Sequence, residues 1–557
     1  MVHCAAICHV PASAGPQDPA AGGGRSIIGA FMQRRELLRQ LSRAAALLAW
    51  HRWSAAQVGA QGQAAAPWRA PAEVFTLGVA SGEPRHDSVV LWTRLAPRPM
   101  QPDGGMPARP VLVRWEVACD SGFRDVVASG ERLAVPDSAH SVHVLVNGLT
   151  AGREYHYRFE AGGARSPVGR TRTAPDPASH PRRLRAALAS CQHYEQGHFT
   201  VHRDIARADV DIVLFAGDYI YTSRQPGYAR VRTLSQHMPD RRALSDYRVH
   251  HASYKLDPDL RAAHAAHPWL LVWDDHDVIS DYAGNWAPDI DDAEAFTAIR
   301  AAAYQAWFEH LPVSPHRAPV DGALPLYDRF AWGRLADLWL LDTRQFRDTP
   351  PCQDTFSPFG RKLLWRCDAA QDEARSPMGL PQEYWLAEGL AGSAAAWKLV
   401  LQTTQLSPSP MPGPWGELLY ADGWDAFPAA RRRLMEAIAQ PRVQDVVFLG
   451  GDVHRHVAAN LRHDPLDPGS PIVASEFVTS SVTSRGLSEW ATSHIRRHQP
   501  DLLHCRSDQR GYALLDLTPE RLLCEFRATP HPVRADARFH VQARYEVLRG
   551  RPGPVKA

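Results

Sequence analysis

Five short apolar segments dominate the pattern of this chain, and helical stretches such as 293–309 and 428–439 lie between them. The segments span residues 184–190, 211–216, 269–273, 397–401 and 446–449. Short apolar segments bounded by glycine and polar residues are typical of buried strands. Strands that alternate with helical stretches predict an α/β fold.

Each of these segments ends in polar residues that can bind a metal ion or take part in a reaction. In chain order they are Cys191; Asp218 and Tyr221; Asp274, Asp275, His276 and Asp277; Gln402, Thr403 and Thr404; and Asp452 and His454. Open α/β sheets place their sites at the carboxyl ends of the strands. A single carboxylate there can be a turn residue, but this many metal-binding side chains together predict a metal-dependent hydrolase.

The length of the chain, 557 residues, predicts two domains and an export segment. With 45% hydrophobic and 22% charged residues, the composition is that of a globular protein. The 62 basic and 60 acidic residues nearly balance, which gives no reason to expect a nucleic-acid or membrane-surface partner. No apolar run is long enough to span a bilayer, so we expect no transmembrane segment in the mature protein.

Residues 1–66 are predicted to be an upstream extension and an export signal. They comprise a stretch before the expected start at Met32, a twin-arginine-like signal at 33–39, an apolar stretch at 44–50 and small residues suited to cleavage near 60–66. We therefore expect the twin-arginine export machinery to carry the protein to the periplasm or out of the cell. The alternative is a cytosolic protein with a basic amphipathic helix.

Residues 71–176 are predicted to form an immunoglobulin- or fibronectin-like β-sandwich with a structural or substrate-shaping role. Strand-like segments rich in β-branched residues lie at 88–93, 111–117 and 141–146. At 148–159 a leucine, a glycine turn and alternating aromatic residues resemble the tyrosine corner of such sandwiches. A proline-rich linker then leads to a catalytic domain at 183–530 and a poorly ordered C-terminal tail at 531–557.

The cysteines allow disulfide bonds if the protein reaches an oxidising compartment. Cys352–Cys367 and Cys505–Cys524 would each close a short loop. We assign Cys191 to the metal site because it lies at a strand end beside the other candidates. The alternative for Cys191 is a buried structural thiol.

The turn after the second segment offers Asp218 and Tyr221, which both follow Gly217. A carboxylate at this place can bridge two cations. A phenol, with an ordinary pKa of about 10, ligates only beside a strongly charged ion, which favours a trivalent ion such as iron. The alternatives are a turn cap for Asp218 and a packed aromatic ring for Tyr221.

The third cluster places three carboxylates and an imidazole within four residues, and the carboxylates repel one another unless cations neutralise them. An extended backbone would turn Asp275 and Asp277 to one side and His276 to the other. Asp281 and Asn285 lie within reach downstream. The alternative is a solvated acidic loop.

The last cluster supplies a carboxylate and an imidazole, and the segment 341–347 supplies two arginines. In extended backbone Asp452 and His454 point to the same side, which suits one metal site, and His456 continues that phase. Arg344 and Arg347 can hold phosphate oxygens in a bidentate fork. The alternative for these arginines is an ion pair with a neighbouring aspartate.

Five blocks of the chain resemble the PhoD-type alkaline phosphatases of the calcineurin-like metallophosphatase superfamily. They are Ser190-Cys191, Gly217-Asp218-x-x-Tyr221, Trp273-Asp-Asp-His-Asp277, Asp342-Thr-Arg-Gln345 and Gly450-Gly-Asp-Val-His454. The likeness covers roughly residues 74–530. No nucleophile elbow, P-loop or His-Glu-x-x-His sequence competes with it, so the chemistry is expected to depend on metals.

This resemblance implies a two-sheet sandwich flanked by helices, with an iron(III) ion and calcium ions as cofactors. The implied iron ligands are Cys191, Asp218 and Tyr221, with Asp218 bridging to calcium. The further implied metal ligands are Asp275, Asp452 and His454; the implied phosphate clamp is Arg344, with Arg347 as second choice. Asp281 stands where family members often carry asparagine, so the calcium ligands stay open.

The implied reaction is the hydrolysis of phosphate monoesters by metal-activated hydroxide, with in-line attack and no covalent intermediate. His276 would stabilise or protonate the leaving oxygen, or else orient a metal ligand. The substrates would be small phosphate esters or phospholipids, and phosphodiesterase or phospholipase D-like activity is an alternative. A remote alternative is an exported, non-enzymatic binding protein.

Overall fold

The computed structural model describes residues 68–71, 73–223, 230–236, 238–239, 242–352, 362–413 and 416–557. The strands of this part are β1 (Val79–Gly82), β2 (Ser88–Arg94), β3 (Val111–Ala118), β4 (Val126–Ala134), β5 (Ser141–Asn147), β6 (Glu154–Ala161), β7 (Ala164–Arg165), β8 (Gly169–Arg172), β9 (Leu184–Ala189), β10 (Ile212–Ala216), β11 (Pro268–Val272), β12 (Asp328–Trp332), β13 (Ala336–Leu340), β14 (Leu363–Trp365), β15 (Trp397–Leu401), β16 (Met411–Gly413), β17 (Gly416–Tyr420), β18 (Val446–Gly450), β19 (His456–Arg462), β20 (Ile472–Val478), β21 (Leu502–Arg506), β22 (Gln509–Leu517), β23 (Arg521–Pro530), β24 (His540–Leu548) and β25 (Arg551–Lys556). The helices are α1 (Thr200–Arg207), α2 (Leu244–Lys255), α3 (Pro258–Ala266), α4 (Ala293–His310), α5 (Leu380–Gly392), α6 (Pro428–Ile438) and α7 (Glu489–His498).

Two large mixed sheets carry the catalytic part of the chain. The first runs β25-β24-β23-β22-β9-β10-β11-β1-β2-β5, and the second runs β12-β13-β15-β18-β20-β19-β21. Strands β9, β10 and β11 are parallel, as are β13, β15, β18 and β20. The five predicted strands are thus confirmed as β9, β10, β11, β15 and β18.

The main hydrophobic core lies between the two large sheets. Successive side chains of the central strands point alternately into this core and toward the covering helices. On β15, Leu399 and Leu401 join the core between the sheets, whereas Val400 faces the other way and packs with residues of α5 and α6, such as Leu390 and Leu434. Successive side chains of a strand point to opposite faces, so a strand covered on both faces is apolar throughout. Replacing a side chain such as Leu399 by alanine would cost about 2–5 kcal/mol.

The predicted β-sandwich is confirmed. Strands β1, β2 and β5 pack against a second sheet, β4-β3-β6-β7 with β8 beside β6, around a core that includes Leu91, Val144 and Tyr157. The backbone nitrogen of Thr150 donates a 2.9 Å hydrogen bond to the hydroxyl of Tyr155, which is the predicted tyrosine corner.

One sheet of the sandwich continues directly into the first large sheet. Strand β1 pairs in parallel with β11, with Ser81 opposite Pro268 and Gly82 opposite Trp269. The described residues accordingly belong to one compact unit. The ladder between β1 and β11 ties the sandwich to the strand that leads into the third polar cluster.

The C-terminal residues 531–557 were predicted to be poorly ordered, and this prediction was wrong. Strands β24 and β25 extend the first large sheet from β23. Tyr545 and Val547 of β24 are buried, whereas Val541 on the same strand is exposed. The apolar pattern is weak because this edge of the sheet is only partly covered.

The disulfide Cys352–Cys367 is present as predicted, and the bond Cys505–Cys524 is not. Cys505 lies in β21 of the second large sheet and Cys524 in β23 of the first, in separate apolar cores. Closeness in sequence therefore did not bring these two thiols together. The predicted export signal lies outside the described residues, and no described helix is long and apolar enough to cross a membrane.

Candidate metal centre

The carboxyl ends of three parallel strands of the first large sheet and of one strand of the second bring the candidate ligands together. Cys191 follows β9, Asp218 follows β10, Asp275 follows β11 and His454 follows β18. Neighbouring parallel strands end side by side, so their following turns meet. A backbone hydrogen bond of 3.1 Å, from the nitrogen of Cys191 to the oxygen of Gly217, joins the first two turns.

Five of the candidate residues have left-handed backbone, with φ of 60° at Cys191, 59° at Asp218, 62° at Asp281, 60° at Asp452 and 50° at His454. A residue with a side chain rarely adopts this conformation, and such strain collects at functional sites. The extended backbone predicted for Asp452 and His454 is therefore wrong, although both side chains line one cavity.

Glycine at two turns allows the strands to approach closely. A Cβ atom on Gly217, where φ is 86°, would lie 2.6 Å from the Cβ of Asp274. A Cβ on Gly451 would lie 2.5 Å from the Oγ of Ser190. These contacts are too short for any side chain, so both glycines are required for the turns to meet.

The first ligand group joins Cys191, Asp218 and His454, whose candidate ligand atoms lie within 4.8 Å of one another. The hydroxyl of Tyr221 donates to Asp218 over 2.8 Å and lies 3.0 Å from Nε2 of His454. Nδ1 of His454 lies 2.8 Å from the carbonyl oxygen of Arg485 and donates to it, which leaves the Nε2 lone pair directed at the group.

Two further groups are linked to the first through shared members. Asp218, Asp275 and His276 form the second, and Asp275, Asp281 and Asp422 form the third, again with ligand atoms within 4.8 Å. Asp218 thus belongs to the first and second groups, and Asp275 to the second and third. The result is a row of three linked sites.

The residues Asp275–Asp277 form one turn of 3-10 helix rather than extended strand. Asp277 consequently points away from the ligand groups and accepts hydrogen bonds of 3.0 Å from the backbone nitrogens of Asp218 and Asp274. Asp275 and His276 line the cavity. The prediction that Asp275 and Asp277 share one side was therefore wrong. Asp277 instead links the turn after β10 to the turn after β11 through these hydrogen bonds.

The carboxyl groups of the site repel one another. Burial raises the pKa of Asp218 well above its ordinary value, and the nearby Asp275 and Asp274 raise it further. Burial, with Asp422 and Asp275 close by, also raises the pKa of Asp452 to about 7. Buried carboxylates beside like charges are stable as anions only when cations neutralise them. The donor set therefore fits bound metal ions.

Arg344 and Arg347 are not placed as the phosphate clamp that was predicted. Both side chains are buried, and neither lines the cavity. Arg344 donates two hydrogen bonds of 2.6 Å to Asp422 and a further one to Asp274. Arg347 lies over the ring of Phe427 at 4.7 Å and 3.7 Å from Asp422. The guanidinium groups neutralise carboxylates behind the site.

Three other predicted residues have partners of their own. Asp452 accepts hydrogen bonds from Thr404 Oγ1 at 2.6 Å and from Tyr420 Oη at 3.1 Å, and it lies outside the three ligand groups of the described residues. Asp281 pairs with Lys362 at 3.0 Å. His456 is buried against Phe526 and does not line the cavity.

A cavity of about 580 Å³ opens beside the row of ligand groups. Its charged and polar lining includes Asp218, Asp275, His276, Tyr420, Asp452, His454, Lys362, Arg455 and Arg485. Its apolar lining is Leu363, Met411, Leu418, Val453, Leu487 and Ile495. The basic side chains that line the cavity are thus different from the two arginines, Arg344 and Arg347, that the sequence indicated.

Sequence reasoning missed Asp422, Lys362 and Arg485. Asp422 follows the short, partly exposed strand β17, which carries no long apolar run. Arg485 follows β20, an apolar strand whose last five residues are buried, and the polar stretch after it. The rule that selected polar residues after short apolar segments, such as Cys191, could have found it. Lys362 precedes the three-residue strand β14 and carries no comparable signal.

Comparison with known proteins identifies the family. A family model described as PhoD-like phosphatase matches residues 186–526, and one described as PhoD-like phosphatase, N-terminal domain, matches residues 61–175. The chain belongs to the PhoD-like phosphatase family. Alkaline phosphatase D of Bacillus subtilis (strain 168) is 39% identical over 490 residues, which cover 86% of this chain and 82% of that protein.

The fold of this PhoD-like phosphatase agrees with a solved relative. The structure described as "Structure of PhoD" matches with a TM-score of 0.83 and 37% identity, covering 88% of this chain and 93% of that one. The predicted family, fold class and enzyme class are confirmed. The chain is a phosphatase, and this sets aside the alternative of a non-enzymatic binding protein.

Proposed function

We propose that this PhoD-like phosphatase hydrolyses phosphate monoesters at the row of three ligand groups. The observation that carries the proposal is the sharing of Asp218 and Asp275 between neighbouring groups. Shared carboxylates hold neighbouring cations close enough to act on one phosphoryl group. The cavity beside the row gives a substrate access to it.

The donor atoms favour different cations along the row. The first group combines a thiol, an imidazole and a carboxylate, with the phenol of Tyr221 beside them. This set suits a strongly charged transition metal, and we assign it iron(III). The third group, Asp275, Asp281 and Asp422, offers only carboxylate oxygens. Oxygen donors suit a hard cation, and we assign it calcium.

When bound, these cations lower the pKa of water and neutralise the oxygens of the phosphoryl group. Lys362 and Arg485 line the cavity and add positive charge that orients the phosphoryl oxygens. Asp452, held by Thr404 and Tyr420, faces the same space. No protein side chain is assigned as nucleophile, so we expect in-line attack by water with inversion at phosphorus.

His276 has two roles open to it. Its ring stacks on Tyr221 with centroids 4.3 Å apart, and Nδ1 lies 3.3 Å from Ser223 Oγ. Burial lowers the pKa of His276 to about 4, so the ring is neutral and carries one N–H. It can donate a hydrogen bond to the leaving oxygen, or it can complete the second ligand group with Asp218 and Asp275.

These two roles predict different results for His276→Ala. If the ring assists the leaving oxygen, kcat should fall more for an alkyl phosphate than for a nitrophenyl phosphate. The alkoxide is the poorer leaving group and depends more on that assistance. If the ring is a metal ligand, both substrates lose activity equally and the metal content falls. A variant with full activity on both substrates would remove His276 from the reaction.

The main proposal is tested by nitrophenyl phosphate hydrolysis in Asp275→Asn, with Asp508→Asn at an exposed position as the matched control. Asp275 belongs to two ligand groups, so its loss should lower kcat/KM by more than about 100-fold, because even outer partners of metal ligands cost 10–100-fold. Normal turnover by Asp275→Asn would contradict the proposal.

The size of the cavity supports a second candidate, phosphodiester hydrolysis, including phospholipase D-like cleavage. A cavity of about 580 Å³ lies in the range that encloses a drug-sized molecule, which leaves space for a second ester arm. Rates on a nitrophenyl monoester, a bis-nitrophenyl diester and phosphatidylcholine would separate the candidates. The monoester proposal requires the highest kcat/KM on the first.

We further propose export by the twin-arginine machinery to the periplasm or beyond. Arg34 and Arg35 with the following apolar stretch support this, as does the disulfide Cys352–Cys367, because such bonds persist in oxidising compartments. Replacing Arg34 and Arg35 together by lysine should leave activity in the cytoplasm on cell fractionation. Unchanged export of this variant would contradict the proposal.

A further inference from the structure

Part of the cavity lining is apolar, and we call its six side chains the apolar wall: Leu363, Met411, Leu418, Val453, Leu487 and Ile495. They come from separate parts of the chain. Strands β14, β17 and β16 form a small three-stranded sheet that supplies the first three. Leu487 lies two residues before helix α7, and Ile495 lies within it.

The wall is anchored in the folded protein. Met411 and Leu418 are directly opposite each other on β16 and β17. Ile495 belongs to an apolar core with Leu502 and others, and Met411 and Val453 pack against that core. Side chains held from behind in this way keep a fixed surface toward the cavity.

The reaction at the metal groups does not account for this wall. A phosphoryl group is anionic, and its partners in the cavity are cations and polar side chains. A small polar alcohol would leave the partly exposed members of the wall in contact with water, namely Leu363, Met411, Val453 and Leu487. Leu487 is 43% exposed and lies beside other apolar side chains of the same cavity, and a contiguous apolar surface of this kind is typical of a ligand-binding site.

We infer that the preferred substrates are phosphate esters whose alcohol is an apolar alkyl or aryl group, and that this group lies against the apolar wall. The inference rests on the proposed phosphatase function and names its substrate class. The metal groups, Lys362 and Arg485 hold the charged end of such an ester. Leu487 and Met411 contact its apolar end and determine specificity.

The test uses the metal-loaded protein and a series of n-alkyl phosphates from ethyl to octyl, each below its micelle concentration, with glycerol phosphate for comparison. Release of phosphate gives kcat/KM for each ester. Each buried methylene should raise kcat/KM by about two- to fourfold until the wall is covered. Glycerol phosphate should react no better than ethyl phosphate.

Leu487→Ser should flatten the dependence of kcat/KM on the length of the alkyl chain. The matched control is Leu466→Ser, because Leu466 is 74% exposed and lies outside the cavity lining. Met411→Ser gives a second test inside the wall. The dependence on chain length should remain in the control.

The outcomes separate the inference from the function on which it rests. Equal kcat/KM along the whole alkyl series, with clear hydrolysis of every member, would overturn the inference and leave the phosphatase proposal intact. No hydrolysis of any member by metal-loaded protein would overturn the proposed function itself. If Trp490→Ser, at a residue 71% exposed outside the lining, removes the chain-length dependence and Leu487→Ser does not, the cavity assignment is overturned.

Discussion

The guanidinium of Arg344 holds the carboxylate of Asp422 in a two-pronged ion pair, with both hydrogen bonds 2.6 Å long and both side chains buried. Asp422 belongs to the third ligand group, and Nε of Arg344 also donates to Asp274. The arginine therefore orients a candidate metal ligand from behind and neutralises two buried carboxylates. It acts as a positioning residue.

Arg344→Gln should therefore destabilise the protein and weaken the third site. Removing one partner of a buried ion pair typically costs about 3–5 kcal/mol. Arg344→Lys keeps a charge but lacks the planar fork, so it should recover part of the stability and little of the metal binding. Thermal unfolding and calcium content measure the two effects, and unchanged calcium content in both variants would contradict the positioning role.

Cys191→Ser should lower phosphatase activity by more than about 100-fold, because a direct ligand matters more than an outer partner. Cys191 and Cys524 are both buried and unpaired thiols, but only Cys191 belongs to a ligand group. Cys524→Ala is thus the matched control and should keep its activity. Equal activity of the two variants would show that Cys191 is a structural thiol.

The disulfide Cys352–Cys367 joins residues 15 positions apart, and Lys362 and Leu363 of the intervening chain line the cavity. Replacing both cysteines by serine should cost about 3 kcal/mol of stability. It should also raise KM more than it lowers kcat, because the metal groups lie outside this segment. An unchanged KM, with stability lowered, would limit the disulfide to a stabilising role.

Acid should destabilise the fold through His143. This ring lies against Phe308 with centroids 4.4 Å apart and donates to the carbonyl oxygen of Leu311 over 3.0 Å. Burial lowers the pKa of His143 from 6.5 to about 4. Between these values the unfolded chain binds more protons than the folded one, so stability is present above pH 6.5 and falls as pH drops toward 4, by about 3 kcal/mol in total.

His143→Gln keeps a donor toward Leu311 and removes the titration. The variant should lose less stability than the wild type between pH 7 and pH 5, as measured by thermal unfolding. His180→Gln, at an exposed position, serves as control. An identical loss in all three proteins would assign the acid sensitivity to other groups.

Much of the fold was predictable because buried strands leave a clear mark in sequence. The five apolar segments became strands, and the polar residues after them, such as Cys191 and Asp218, lie together at one edge. The rule works because a covered strand must be apolar and must end where the chain can turn. Weakly patterned strands near the sheet edge, such as β24, follow no such rule.

Ion pairs and disulfide bonds between residues far apart in the sequence were not predictable. The sequence shows the charge of Arg344 but not that its partner is Asp422, 78 positions away. Asp422 and Lys362 come from segments without a strong apolar pattern, so nothing marks them in the sequence. The disulfide proposed for Cys505 and Cys524 failed for the same reason, since two different sheets separate them.

Metal analysis of exported wild type and Asp218→Asn tests the central claim most directly. Asp218 is shared by two ligand groups, so its loss should affect two neighbouring cations together. We expect about one iron per chain with calcium in the wild type. The variant should lose the iron, the cation of the second group and activity, whereas the calcium of the third group should remain. Retention of the iron and full activity by Asp218→Asn would contradict the account.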